Sequence, residues 1–189
     1  MTFSRKKKTM PNWCENHLTI YGKKEDMDKF ISVIKAGEEE YQLLEKLYPT
    51  PEELMIGDVS FTVDEIQKAN FEKFGYKSWY DWRISKWGTK WPETDLFVQQ
   101  EYTNRRDDKA EIAFGFNTAW SPPIEAFEKI SADYPNILFC LYYEEPGMGF
   151  CGKNIWFDGE CKEEYQSELI QNYFEEDYLF ETYSEEAKA

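Results

Sequence analysis

The sequence predicts an α+β fold in which an antiparallel sheet is built from a split β-α-β arrangement. Two observations point there. Short runs rich in β-branched and aromatic residues alternate with two runs of 3.6-residue apolar period, in the order strand, helix, strand, strand, helix, strand. Among 189 residues, 41% are hydrophobic and 18% aromatic, enough to fill the core such a two-layer fold encloses.

The elements follow in order. Asn16 to Gly22 is β-branched and aromatic and closes on a glycine, which reads as a first strand. Lys24 to Ala36 places Met27, Phe30, Ile31 and Ile34 at helical spacing, and Gly37 stops it. Residues 38–95 are less regular and read as a helical, tryptophan-rich insertion packed on the core. Tyr41, Leu44, Leu47 and Tyr48 suggest a short helix before Pro49. Val63 to Phe74 suggests a second, ended by Gly75, and the dense aromatic run Trp79 to Trp91 follows. Leu96 to Asn104 and Ala110 to Asn117 should form a hairpin about the charged turn Arg105 to Lys109. Pro122 and Pro123 precede a helix over Ile124 to Asp133. Ile137 to Glu144 and Phe150 to Phe157 are strands, and Asp158-Gly159 is a turn signal. Lys162 to Phe180 carries Tyr165, Leu169, Tyr173 and Phe174 and is expected to be helical. Without the insertion the order is β-α-β-β-α-β plus one strand, a ferredoxin-like arrangement. The expected organisation is a basic arm over 1–9, the domain over 10–157, and an acidic extension over 158–189.

Charge narrows the partners. The net charge is −15, and from Asp158 to Ala189 eleven acidic residues face only Lys162 and Lys188, a local net of −9. Such a surface disfavours direct nucleic-acid binding, which rests on Lys and Arg contacts to phosphate. It favours a basic partner, imitation of a polyanion, or simple solvation. Mean hydropathy is −0.74 and no apolar run approaches a membrane span, so a soluble protein of the host cell cytoplasm is expected. Arg5, Lys6, Lys7 and Lys8 are not followed by an apolar stretch, which excludes a secretory signal. Cys14, Cys140, Cys151 and Cys161 fall in strand-like surroundings and read as free, buried thiols.

Four motifs, Met10 to Asn16, Trp87 to Trp91, Phe116 to Pro123 and Gly147 to Gly152, occur in one order over Met10 to Phe157. Together they resemble the YubB-type ferredoxin-like domain family. That resemblance implies the same fold and a protein carried by phages or plasmids. It supplies no activity. The basic stretch before Met10 and the acidic stretch after Phe157 lie outside it.

Sites of chemistry are sparse. Gly147-x-Gly149-x-x-Gly152 matches the dinucleotide fingerprint in letters. However, Lys153 to Phe157 after it is strand-like, whereas that fingerprint needs a following helix N-terminus; a glycine-rich hairpin connection is expected instead. His17, the sole histidine, is three residues from Cys14, which puts the two on opposite faces of a strand and prevents a shared metal. Asp107, Asp108 and Glu111 invite a metal-dependent nuclease reading, yet their spacing is that of a hairpin turn. No catalytic residue, cofactor or metal site is therefore expected, and the chain reads as a binding protein rather than an enzyme.

Two surfaces are candidates for the partner. The acidic stretch interleaves Glu163, Glu164, Glu175, Glu176, Asp177 and Glu181 with tyrosines and phenylalanines, unlike a solvating tail. It could compete with nucleic acid for a basic host complex such as a guided defence nuclease of the CRISPR-Cas kind. Trp87, Lys90 and Trp91, with Trp120, could instead form a stacking platform for single-stranded nucleic acid or a peptide, or could lock the insertion onto the sheet.

Overall fold

The computed structural model describes residues 12–38, 40–56, 65–104 and 108–168. Its frame is the expected one: a six-stranded antiparallel sheet in the order β2-β3-β1-β4-β5-β6 with helices against one face. The first four positions of that order are the ferredoxin-like sheet, and the β5–β6 hairpin widens it.

Strand β1 (Trp13–Lys23) runs between β3 (Lys109–Ala119) and β4 (Ile137–Glu145). Its even-numbered side chains, Cys14, Asn16, Leu18 and Ile20, are buried beneath the helices. Glu15 and His17 on the opposite face are exposed. Helix α1 (Lys24–Ile34) buries Met27, Phe30 and Ile34, one stripe of its surface. The Tyr134 and Phe139 rings meet Phe30 edge-on at 5.0 and 5.6 Å. Helix α5 (Ile124–Asp133) has the bounds read from the sequence and buries Ala126, Phe127, Ile130 and Ser131. The Phe127 ring stacks at 6.1 Å on Trp156 of β5 (Phe150–Phe157).

Between α1 and β2 (Thr94–Asn104) lie α2 (Leu44–Leu47), a 3-10 turn (Glu52–Met55), α3 (Glu65–Phe74) and α4 (Trp79–Trp87). Arg83 of α4 ties this layer together although its side chain is only 7% exposed. It donates to Thr50 Oγ1 at 2.9 Å and to Glu45 Oε1 at 2.5 Å, and its guanidinium lies 4.6 Å from the Trp87 ring centre. The Glu93 carboxylate accepts the N–H groups of Leu43 and Leu44, at 2.5 and 3.1 Å, and so joins the two ends of the excursion. Gly88, at φ 77°, ends α4 in the left-handed conformation that a side chain would resist.

The C-terminal expectation needs correction. Over the described residues the chain after Asp158-Gly159 is not helical but a strand, β6 (Glu160–Glu168), paired along β5. Asp158 and Gly159 have φ 55° and 73°, the positive pair that a two-residue type I′ hairpin turn requires. Such a turn returns the chain directly onto its neighbour. The unpaired edge of β5 then outweighs the helix propensity of Lys162, Glu163 and Glu164. Residues 169–189 lie outside the described residues.

Candidate functional site

The two residue sets singled out from the sequence occupy different parts of the sheet. Glu163 and Glu164 are on β6, at one edge. Glu163 faces the side without helices and forms an ion pair with Lys153 of β5, whose side chain is 4% exposed; the Tyr142 ring centre is 5.9 Å from the same ammonium. Glu164 is exposed and points the other way, opposite Asn154. Glu160 and Glu168 are exposed too, and Glu160 pairs with Lys162, so the edge carries four carboxylates against Lys153 and Lys162. Glu175, Glu176, Asp177 and Glu181 lie outside the described residues.

Trp87, Lys90 and Trp91 prove to be of two kinds. Trp87 is fully buried in the hydrophobic core, edge-on to Trp82 at 5.9 Å, and its indole N–H donates to the Tyr48 carbonyl at 2.9 Å. It is not a contact surface. Beyond the end of α4, Lys90 and Trp91 are half-buried at the rim of the sheet. The Lys90 ammonium lies 4.6 Å from the Trp91 ring centre and 5.5 Å from that of Tyr80. Trp91 in turn meets Trp13, at the start of β1, at 6.3 Å with the rings tilted by 45°. Trp13 joins this corner through tertiary packing, and nothing in its local spacing announces it. Trp120 is 47% exposed and has φ 73°, a conformation costly for a bulky side chain. Its N–H donates to the Asn12 carbonyl at 3.0 Å.

The fold does not bring the acidic strand and the aromatic corner together. Three strand spacings, roughly 14 Å, separate β1 from β6. Between them the helix-free face presents Glu15 opposite Glu144 and His17 opposite Tyr142. The His17 ring is hydrogen-bonded through Nδ1 to Gln99 of β2 at 2.6 Å. An RNA-reading sheet of this type needs exposed aromatic rings on its two central strands. Here those positions hold His17 and, across from it, Gly115, with carboxylates nearby.

The remaining sequence motifs resolve into structure. Gly147 and Gly149 make the turn between β4 and β5, and Gly152 is within β5, so the glycine triplet leads into a strand. The Glu145 carboxylate accepts the N–H groups of Gly147 and Met148 and braces this turn. Cys14 and Cys140 are buried as expected, and burial pushes both thiols up to about 12, Glu145, Glu144 and Glu15 adding to the effect at Cys14. The other two depart from expectation: Cys151 is only partly buried, and Cys161 is exposed because it lies on the edge strand. Among the described residues no group of three or more His, Cys, Asp or Glu is placed to hold a metal, and no helix is long and apolar enough to cross a membrane.

The architecture defines a ferredoxin-like α+β domain enlarged by a helical insertion and a terminal hairpin. Residues 99–186 match the family model for the ferredoxin-like domain in Api92-like protein, which assigns that stretch, a little under half of the chain, to the C-terminal domain of such proteins. The crystal structure of api92 from Yersinia pseudotuberculosis superimposes with a TM-score of 0.50 at 12% identity, over 87% of this chain and 100% of that one. At that identity the likeness is one of fold. No curated protein sequence matches the chain.

Proposed function

We propose that this chain is a non-catalytic binding protein whose acidic edge competes with nucleic acid for a basic, nucleic-acid-handling partner in a host cell cytoplasm. The observation behind this reading is β6. Among the described residues it is an edge strand, with Glu163 paired to Lys153, Glu160 paired to Lys162, and Glu164 and Glu168 exposed. Charged side chains also guard edge strands against aggregation, and that is the simpler role to be separated from partner binding. The −15 net charge and the resemblance to YubB-type domains of phages and plasmids favour an inhibitor of a host defence nuclease, of which a CRISPR-Cas complex is one kind.

The test is affinity capture from host lysate with the full chain and with the double variant Glu164→Lys, Glu168→Lys, each in nuclease-treated and untreated arms. A basic nucleic-acid-binding protein recovered equally in both arms, and lost with the variant, supports the reading. Unchanged recovery with the variant overturns the role of β6.

A second reading has its own observation. Residues 65–91 run against the overall charge, with Lys68, Lys73, Lys77, Arg83, Lys86 and Lys90 against Glu65, Glu72 and Asp81. The Lys90–Trp91–Trp13 corner at its end has the chemistry to stack and neutralise a single-stranded nucleic acid or to hold a peptide. Capture abolished by nuclease would favour it.

A further inference from the structure

A second edge of the sheet has its own distinct geometry. Strand β2 pairs only with β3 among the described residues, and its register against β3 shifts at three places, between Thr94 and Phe97, Val98 and Gln100, and Gln100 and Thr103. Phe97 and Val98 are thereby left in regular register, opposite Gly115 and Phe114, between two irregularities. There a cleft of about 190 Å³ opens between β2 and the loop after α1, lined by Leu96, Phe97 and Val98 on one wall and Ala36, Tyr41 and Gln42 on the other, with Glu40 at its rim.

The features of this cleft agree with one another. Val98, opposite Phe114 on the helix-covered face, turns toward the cleft, while the ring of its neighbour Phe97, 56% exposed, lies over Gly115 on the other face of the sheet. The loop opposite is fixed by the Lys35–Tyr41 bridge and by the N–H of Ala36 donating to the Glu40 carbonyl at 2.8 Å. It is further held by the Tyr41 ring, edge-on to Phe114 at 5.2 Å. The far wall is thus tied to the end of α1 and to β3. The near wall is β2, whose outer edge pairs with no other strand among the described residues and so can accept an added one. Exposed Glu40 stands at the rim of the cleft, and Asp95 and Glu101, also exposed, add negative charge elsewhere along β2.

We propose that this β2 edge is a strand-addition groove for an extended, cationic segment of a protein partner. The main chain of that segment would bond to the β2 edge at Leu96 to Val98. One apolar side chain would enter the cleft beside Val98 and Tyr41, and an Arg or Lys side chain would meet Glu40 at its rim. A second copy of this chain is a poor occupant, since each copy brings a net charge of −15. The proposal rests on the binding-protein reading and adds a contact about 24 Å from β6, five strand spacings away.

The test is titration of the isotope-labelled full chain, followed by backbone amide resonances. The probes are a short synthetic peptide alternating valine and arginine, its valine–glutamate counterpart, and an arginine version interrupted by proline. The expected result is perturbation at Leu96 to Val98 and at Tyr41 with the arginine peptide. Affinity should fall at least about tenfold on adding proline, which removes a main-chain donor. Glu40→Lys should weaken binding several-fold, while Glu164→Lys with Glu168→Lys should leave it unchanged. Equal binding of the proline peptide, perturbation centred on β6, or no perturbation up to about 1 mM peptide, the weakest affinity of interest, would each overturn the groove. Because the capture experiment reports on β6 and the titration on β2, either can fail without the other.

Discussion

The indole N–H of Trp87 donates to the main-chain carbonyl of Tyr48 at 2.9 Å across the insertion, with the whole Trp87 side chain out of contact with water. Four residues later Trp91 is half-exposed under the ammonium of Lys90. Removing each ring should separate folding from binding. Trp87→Ala is expected to cost about 3–5 kcal/mol, the loss of a large buried aromatic together with an orphaned carbonyl. Trp91→Ala should cost about 1 kcal/mol. Urea unfolding followed by circular dichroism measures both, and a Trp91→Ala cost equal to that of Trp87→Ala would place Trp91 in the core as well.

Arg83 is the linchpin of the insertion. Its truncation to Ala removes the bonds to Thr50 and Glu45 and the stacking against Trp79 and Trp87. Glu45 remains partly hydrated, so the expected loss is about 2–3 kcal/mol, below that for a fully buried pair. Arg83→Lys should recover less than half of it, because an ammonium cannot serve two directions in a plane. Midpoints of urea denaturation for the two variants decide this.

Thiol chemistry should follow position in the sheet. Cys161, exposed on β6, is expected to react first with a disulfide reagent at pH 8. Cys14 and Cys140 are buried with thiols pushed up to about 12; Cys14, wholly covered, should react only at the rate of unfolding, and Cys140 slowly. Mass spectrometry of timed labelling gives the order, and early modification of Cys14 would mean that β1 opens readily.

Glu93 should leave a trace in the pH dependence of stability. Burial raises its carboxyl above the usual range, and the N–H groups of Leu43 and Leu44 only partly offset that. A folded-state pKa above the unfolded one means that the folded chain binds the proton more tightly. The contribution of Glu93 is therefore fully present below the unfolded value, about 4.3, and is lost as pH rises through the folded one. Glu93→Gln should remove that decline, and thermal midpoints from pH 4 to pH 7 for the two proteins would differ in slope as well as height. Parallel curves would show that folding leaves the Glu93 carboxyl unshifted, and a relative gain with rising pH that its carboxylate is favoured.

Much of the frame was legible because period and punctuation agreed. Helix α5 and strand β5 have the bounds that their apolar spacing indicates, and the hairpin of β2 and β3 follows from alternation around a charged turn. The stretch from Lys162 was misread because its residues favour helix in isolation, while the Asp158-Gly159 turn commits the chain to a neighbour it must pair with. The tryptophan run hid its division for another reason. Gly88 ends α4 between Trp87 and Trp91, so positions that would share one helical face come to lie in different environments. The β2 cleft left no signal at all, since it arises from one loop and a strand edge distant in sequence.

Glu93 grips Leu43 and Leu44 across a separation of about fifty residues, closing the insertion at its neck. Beyond that grip the insertion is held to the sheet by its buried side chains, Leu44, Leu54, Trp82 and Trp87 among them, and by Thr89 donating to the Ala119 carbonyl. The exposed lengths between those anchors can grow at a closure cost of only about 0.6 kcal/mol per doubling. The neck and the buried face thus fix how the helical layer sits, and leave its outer face free to vary. Related chains could lengthen the exposed stretches or refit that face for a different partner while keeping the same sheet.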